Sequence, residues 1–295
     1  MRHQVTGRDG VVVTGRIAAA IALELTSATL VNLAYVREQG AASALPALSL
    51  RRPSHSLALL LTNRRWLGGF AMESAGFAMY VGALALASVS LVQTVGAGGI
   101  GVLAYASARL GGHRLGRRET AGIAIALVGL IALGVSLAGG AASGGSGHTT
   151  AILAWLGVTA LLALAVLALG RRAAPAVAYG LAAGLLFSIG DISTKVATQG
   201  GVRFAFAGSL IVGYVLGTSL LQLGYQAGAA LTVAGLATLL TNVLPILAGT
   251  IVLHEPVPSG ALGALRILAF VAVTLGAVLL ARPDGAVPEA AAPAT

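Results

Sequence analysis

Ala229 to Leu253 reads AALTVAGLATLLTNVLPILAGTIVL, 25 residues without one charged side chain. As a helix rising about 1.5 Å per residue it would be about 37 Å long, more than the roughly 30 Å of a bilayer's hydrocarbon core. Working outward, Trp66 to Leu86, Val89 to Ala108, Thr120 to Ala138, Ala151 to Leu169, Phe204 to Leu223 and Ser259 to Ala281 repeat the pattern, and nearly all charges fall between them. Two further stretches carry polar groups: Ile17 to Val36 holds Glu24 and Asn32, and Ala174 to Lys195 holds Asp191. The sequence predicts an all-α polytopic membrane protein with about nine transmembrane helices.

Of the 295 residues, 57% are hydrophobic and 9% are charged, and the mean hydropathy is +0.91. A soluble domain carries roughly 25% charged residues. The longest polar stretch, Arg37 to Arg65, is too short for a core of its own. Cysteine is absent, which removes disulfides, thiolate metal sites and a Cys nucleophile. There is no GxxxxGK[ST] loop for a nucleotide, so no cofactor is expected. No Ser/His, Asp/Asp or HExxH constellation falls at membrane depth, so an intramembrane enzyme is not expected either. A net charge of +9 would suggest nucleic acid in a soluble chain, but here the bases lie in connections between spans, where they orient the helices. The partners expected are the lipid bilayer and a small-molecule or ion substrate, and no nucleic acid; a homodimer is compatible with the sequence.

With nine crossings, one side collects twelve of the 18 basic residues: Arg37, Arg51, Arg52, Arg64, Arg65, Arg109, Arg114, Arg117, Arg118, Arg171, Arg172 and Arg282. The other side holds Arg2, Arg8, Arg16, Lys195 and Arg203, and Arg266 lies inside a span. The positive-inside rule then places the chain in the cell membrane with its amino terminus outside and its carboxyl terminus cytoplasmic. A cleaved leader would use Ala42-Ser43-Ala44, but the apolar stretch before it is long for a leader and contains Glu24. Leu45 to Thr62 reads as an interfacial or re-entrant piece. The Gly/Ser run Gly139 to Gly147 and the Ala/Pro-rich end after Arg282 read as flexible.

The two halves echo one another. Ser90-Leu91-Val92-Gln93 leading to Gly112-His113-Arg114-Leu115 and Arg118-Glu119-Thr120-Ala121-Gly122 parallels Leu236-Ala237-Thr238-Leu239 leading to His254-Glu255-Pro256-Val257 and Ser259-Gly260-Ala261-Leu262-Gly263. This divides the chain into a tail (1–16), a first repeat of helices one to four (17–138, with a basic loop 37–65), a Gly/Ser loop plus linking helix five (139–173), a second repeat of helices six to nine (174–281) and a tail (282–295). An odd number of crossings between the repeats inverts the second copy, an arrangement that lets one central site open alternately to either side.

Leu239-Leu240-Thr241-Asn242-Val243-Leu244-Pro245-Ile246 followed by Leu253-His254-Glu255 resembles the drug/metabolite transporter superfamily with its EamA-type repeats. Glu73, Gly76, Phe77 and Tyr80, then Ser90-Leu91-Val92 and Gly96-Ala97, are similar to the NIPA-like magnesium transporter branch, which also has nine helices. Thr94 stands where that branch has Pro, Gly76 where it has Asn, and His113 where an EamA repeat has Glu. The resemblance implies a carrier of a small metabolite or cation working by alternating access, with a divalent cation permease as the alternative and a non-transporting subunit as another.

Ionisable groups in lipid cost at least about 2.5 kcal/mol near the midplane and mark pathways or internal pairs. The outer half holds Glu24, Asp191 and Arg266, expected to neutralise one another in part, with Glu24 also a candidate cation or proton site. Glu73, in the inner half, has no evident basic partner and is the candidate cation ligand. Thr218, Gln222, Tyr225 and Gln226 share one helix face, as do Thr238, Thr241, Asn242 and Pro245. In lipid such stripes face inward, either lining a cavity or bonding across helices. Pro245 frees a carbonyl one turn earlier and is a candidate helix break. Substrate-binding or coupling candidates are therefore Glu24, Glu73, Tyr80, Asp191, Gln222, Tyr225, Asn242 and Arg266. The pairs Gly180/Gly184, Gly213/Gly217 and Gly224/Gly228 have the spacing of close helix contact. His55, His113 and His254 lie scattered in connections, and His148 reads as solvated.

Overall fold

A computed structural model describes residues 8–49, 51–110, 116–137, 147–255 and 260–281. Every regular element among them is helical: α1 (Arg8–Ala42), α2 (Pro53–Thr62), α3 (Arg64–Leu86), α4 (Val89–Gly96), α5 (Gly99–Arg109), α6 (Arg117–Leu137), α7 (Thr149–Gly170), α8 (Pro175–Ala197), a 3₁₀ turn (Gly201–Phe206), α9 (Ala207–Ala227), α10 (Ala230–Ile251) and α11 (Ala261–Ala281). Among the described residues six helices are long and apolar enough to cross a membrane, namely Gly15–Ala42, Arg64–Leu86, Thr149–Gly170, Pro175–Ala197, Gly201–Ala227 and Ala230–Ile251. This is a multi-pass membrane protein. The expected fourth and ninth spans fall in α6 and α11, each 21 residues long.

The expectation for Val89 to Ala108 needs correction, because that stretch is two helices, α4 and α5, broken at Ala97–Gly98. Gly96, Gly98 and Gly99 crowd the break, and glycine is a poor helix former with no side chain to pack. Around it the backbone winds tighter, with Gly98 N–H bonded to Val95 O at 3.1 Å and Gly101 N–H to Gly98 O at 3.0 Å. Glycine is required there by close approach: a Cβ on Gly96 would run into the Glu24 carboxylate, and one on Gly99 into the Asn32 amide. The first helix also ends later than its hydropathy suggests, at Ala42 rather than Val36. The basic connection therefore begins inside a helix.

Glycines also set the helix pairs. Gly76 would place a Cβ 2.7 Å from Val31 where α3 meets α1, and Gly213 one 2.8 Å from the Leu186 carbonyl where α9 meets α8. Gly180 and Gly184 bring α8 onto α10, against Val233 and Ala237, as the small-residue spacing predicts. The packing is ordered: α1 lies on α3, α8 on α9, α8 on α10, α1 on α4 and α5, and α6 on α11. His113, Pro256 and the Gly139 to Ser146 run lie outside the described residues, as do Met1 to Gly7 and Arg282 to Thr295.

Candidate functional site

A cavity of about 530 Å³ lies between α1, α3, α8, α9 and α10, with α4 at one wall and α2 at its mouth. The helical period builds its walls. On α1, Glu24, Ser27, Val31 and Tyr35 follow one another at intervals of three or four, and all line the cavity. On α3 the same spacing presents Phe70, Glu73, Phe77 and Tyr80; on α9 it presents Tyr214, Thr218 and Gln222; on α10 it presents Thr238, Thr241 and Asn242. Toward the mouth the lining turns apolar and exposed, with Leu57 and Leu61 of α2, Phe70 of α3, and Ile211 and Val215 of α9.

Among the described residues the lining holds three carboxylates, Glu24, Glu73 and Asp191, and no Lys, Arg or His. Along it the polar groups form three stations. At the first, the Tyr214 hydroxyl donates to Asp191 at 2.5 Å, and Gln93 donates to the Tyr80 hydroxyl at 2.7 Å beside it. At the second, Glu24 and Asn242 meet at the α4–α5 break, both side-chain oxygens within 3.4 Å of where a Cβ on Gly96 would sit. At the third, Glu73 lies beside Glu38, and Gln222 donates to Glu38 at 2.5 Å.

The amides are turned by the backbone. Asn242 donates to the Thr238 carbonyl at 2.6 Å and Asn32 to the Ala28 carbonyl at 2.8 Å. A backbone carbonyl only accepts, so each amide spends its N–H there and leaves its oxygen free. The Oδ1 atoms of Asn32 and Asn242, Oε2 of Glu24 and Glu73, Oδ2 of Asp191 and Oε1 of Gln222 are all buried without a hydrogen-bond partner. Buried polar atoms are normally paired, and the described residues of this cavity carry six unpaired acceptors beside one unpaired donor, Trp66 Nε1. Among the described residues no three His, Asp or Glu side chains close into a metal cage.

Of the candidates named from sequence, the cavity gathers Glu24, Glu73, Tyr80, Asp191, Gln222 and Asn242. It does not gather Tyr225 or Arg266. Tyr225 is 1% exposed and sits in the apolar core behind the lining. Arg266 does not neutralise Asp191 or Glu24, as depth alone suggested. It bonds the Thr250 hydroxyl on the far side of α10 and faces Glu255, while Asp191 takes its bond from Tyr214. Pro245, buried in α10, does not touch the cavity, but it cannot donate to the carbonyl of Thr241, which does line it. Gln226, on the same stripe as Gln222, instead binds the turn after α1, donating to the carbonyls of Ala42 and Pro46 and accepting from Leu48 N–H.

Glu73 is not without a neighbour, because Glu38 is fully buried against it. Glu38 escapes a hydropathy reading because it follows Arg37 just past the apolar stretch. Its spacing, seven residues from Val31 and fourteen from Glu24, would have placed it on the same face. His148 and His254 also come together, with ring centroids 6.2 Å apart, though both are exposed and far from the cavity lining.

The fold and site thus define a multi-pass helical membrane protein built around an acid-lined internal cavity. The chain is 27% identical over 288 residues to a protein of Arabidopsis thaliana described as "Probable magnesium transporter NIPA9", an overlap covering 88% of this chain and 81% of that one. No family model matches the chain, and no solved structure matches it. The similarity and the six membrane-length helices together support a membrane transporter.

Proposed function

We propose that this protein carries a divalent cation of the magnesium class across the cell membrane, through the cavity, by alternating access. One observation carries the proposal: among the described residues, three carboxylates and no basic side chain line the cavity, and several of its lining residues carry acceptor oxygens buried without a partner. Carboxylate, amide and carbonyl oxygens are the donor set of hard cations. Magnesium keeps several waters and uses one or two carboxylates at a time, so stations spread along a path suit its passage better than a closed cage. An octahedral shell of waters at about 30 Å³ each occupies roughly 200 Å³, which fits in a cavity of about 530 Å³. The resemblance to NIPA-like proteins points the same way.

In this reading Asp191 with Tyr80, Glu24 with Asn242, and Glu73 with Gln222 are successive contacts for the ion. Nine passages form two inverted repeats, 17–138 and 174–281, joined through 139–173. The packing supports this, since α1 on α3 and on the broken α4–α5 pair is matched by α8 on α9 and on α10, while α6 and α11, the last helix of each repeat, pack on one another. The drug/metabolite transporter superfamily and its EamA-type repeats remain the family expectation. The amino terminus lies outside and the carboxyl terminus in the cytoplasm, following the arginine distribution.

Proteoliposomes loaded with a magnesium-sensitive dye test the proposal. The parent protein is expected to admit magnesium, and Glu24→Gln to slow entry about tenfold, equivalent to about 1.4 kcal/mol. No entry with the parent, or undiminished entry with each of Glu24→Gln, Glu73→Gln and Asp191→Asn, overturns it.

A further inference from the structure

The segment before α3 has features that cation passage does not use. From Gln39 to Met72 the chain contains no Asp or Glu, so Arg51, Arg52, Arg64 and Arg65 are uncompensated within it. All four are exposed, and none has a side-chain partner among the described residues. They stand in pairs at the two ends of α2, a ten-residue helix about 15 Å long and too short to cross a bilayer.

α2 is held to the protein along one edge. Leu60 packs with Ala41, Leu48 and Trp66 in a small satellite cluster. Leu57 and Leu61, one turn apart, are 52% and 47% exposed and lie at the cavity mouth. In water that ridge would be a liability. In the plane of a membrane interface it is the expected arrangement, with leucines reaching acyl chains and guanidiniums at headgroup depth. Each guanidinium is a permanent positive charge that attracts the phosphate of an anionic headgroup. Orientation during insertion needs only the charges; it does not call for a helix between them that leaves its leucines uncovered.

We propose that α2 is a surface helix anchored by anionic phospholipid, whose headgroups bind Arg51, Arg52, Arg64 and Arg65 and hold Leu57 and Leu61 over the cavity mouth. The lipid site stands by itself; only its effect on cation entry rests on the function proposed above.

Because the chain has no cysteine, Ala58→Cys, on an exposed position of α2 outside the cavity lining, gives a single site for an environment-sensitive fluorophore. Quenching by lipids with brominated acyl chains is compared in phosphatidylcholine vesicles with and without phosphatidylglycerol. The glycerol lipid is expected to raise quenching about twofold, and replacing all four arginines by Gln to abolish the rise. The four-fold Arg→Lys variant keeps the charge needed for insertion and retains the rise. Equal quenching in both vesicle types, a Gln variant that follows the parent, or a correctly inserted Lys variant that fails to respond would each overturn the proposal. So would a response reproduced by inorganic phosphate in phosphatidylcholine alone, which would mean a free-phosphate site. Magnesium entry is read in the same vesicles: a protein that answers to phosphatidylglycerol but admits no magnesium sinks the cation reading and leaves the lipid site standing.

Discussion

Glu24 and Glu255 are equally buried, each with 4% of its surface exposed, yet the protein treats them in opposite ways. Glu255 sits at the start of α4, where it accepts the backbone N–H of Val89 at 3.0 Å, that of Ser90 at 3.3 Å and the Ser90 hydroxyl. The Ser88 side chain caps the same turn from within, accepting from Leu91 N–H. Across the connection, Lys195 donates to the carbonyls of Leu84 and Ala87 at the end of α3, at 2.9 and 2.8 Å. An acid at a helix amino terminus and a base at a helix carboxyl terminus both complement the local dipole. Glu24 faces the cavity with an oxygen that has no hydrogen-bond partner. Two carboxylates at one burial thus divide into a clamp and a vacant acceptor, and partners rather than depth make the division.

The largest effect should come from breaking the clamp. Glu255→Ala removes three hydrogen bonds at the start of α4, and should lower unfolding stability by roughly 3 kcal/mol, read in a denaturant titration in detergent. A variant as stable as the parent would show that the three bonds contribute nothing net. Glu24→Gln, by contrast, should slow magnesium entry about tenfold while its unfolding curve stays level with the parent or improves, because an unpartnered buried acid is removed. If that variant instead unfolds like Glu255→Ala, the contrast between the two carboxylates disappears.

Gly96→Ala sharpens the comparison, since the new methyl would occupy the space of the Glu24 carboxylate and approach the Asn242 oxygen to 3.4 Å. Entry should fall several-fold with a stability cost of about 1–2 kcal/mol. Lys195→Met removes two bonds at the α3 end and should cost about 1 kcal/mol in the same titration, with entry rates following the folded fraction. Arg266→Leu should change least. Its guanidinium lies outside the cavity lining, so entry should stay within about twofold of the parent; a tenfold drop would revive the ion pair with Asp191 that depth suggested.

Some of this was legible from residues alone. Among the described residues the apolar stretches are helical, with Val89 to Ala108 split in two, because a run of some 20 apolar residues has few alternatives in lipid, where every backbone group must be bonded within the segment. That Glu24, Glu73, Asp191 and Asn242 turn inward follows from the cost of a polar group against acyl chains; that they line one cavity is a matter of packing. The break between α4 and α5 was hidden because Val89 to Ala108 carries no charge and hydropathy is blind to glycine's backbone freedom. Glu38 was hidden because hydropathy averages it with Arg37, although the fold buries the one against Glu73 and points the other to the surface.

Residue order by itself determined that the chain is helical, that it crosses a membrane many times and that a few acids must share its interior. These follow from local quantities: apolar run length, helical period and the cost of charge in oil. Which acid is clamped and which is left open was decided by packing, because Val89 and Glu255 lie 166 residues apart, and Glu38 and Gln222 184 apart. Distances of that kind are closed by glycines at helix crossings, whose consequence depends on what the opposite helix happens to place against them.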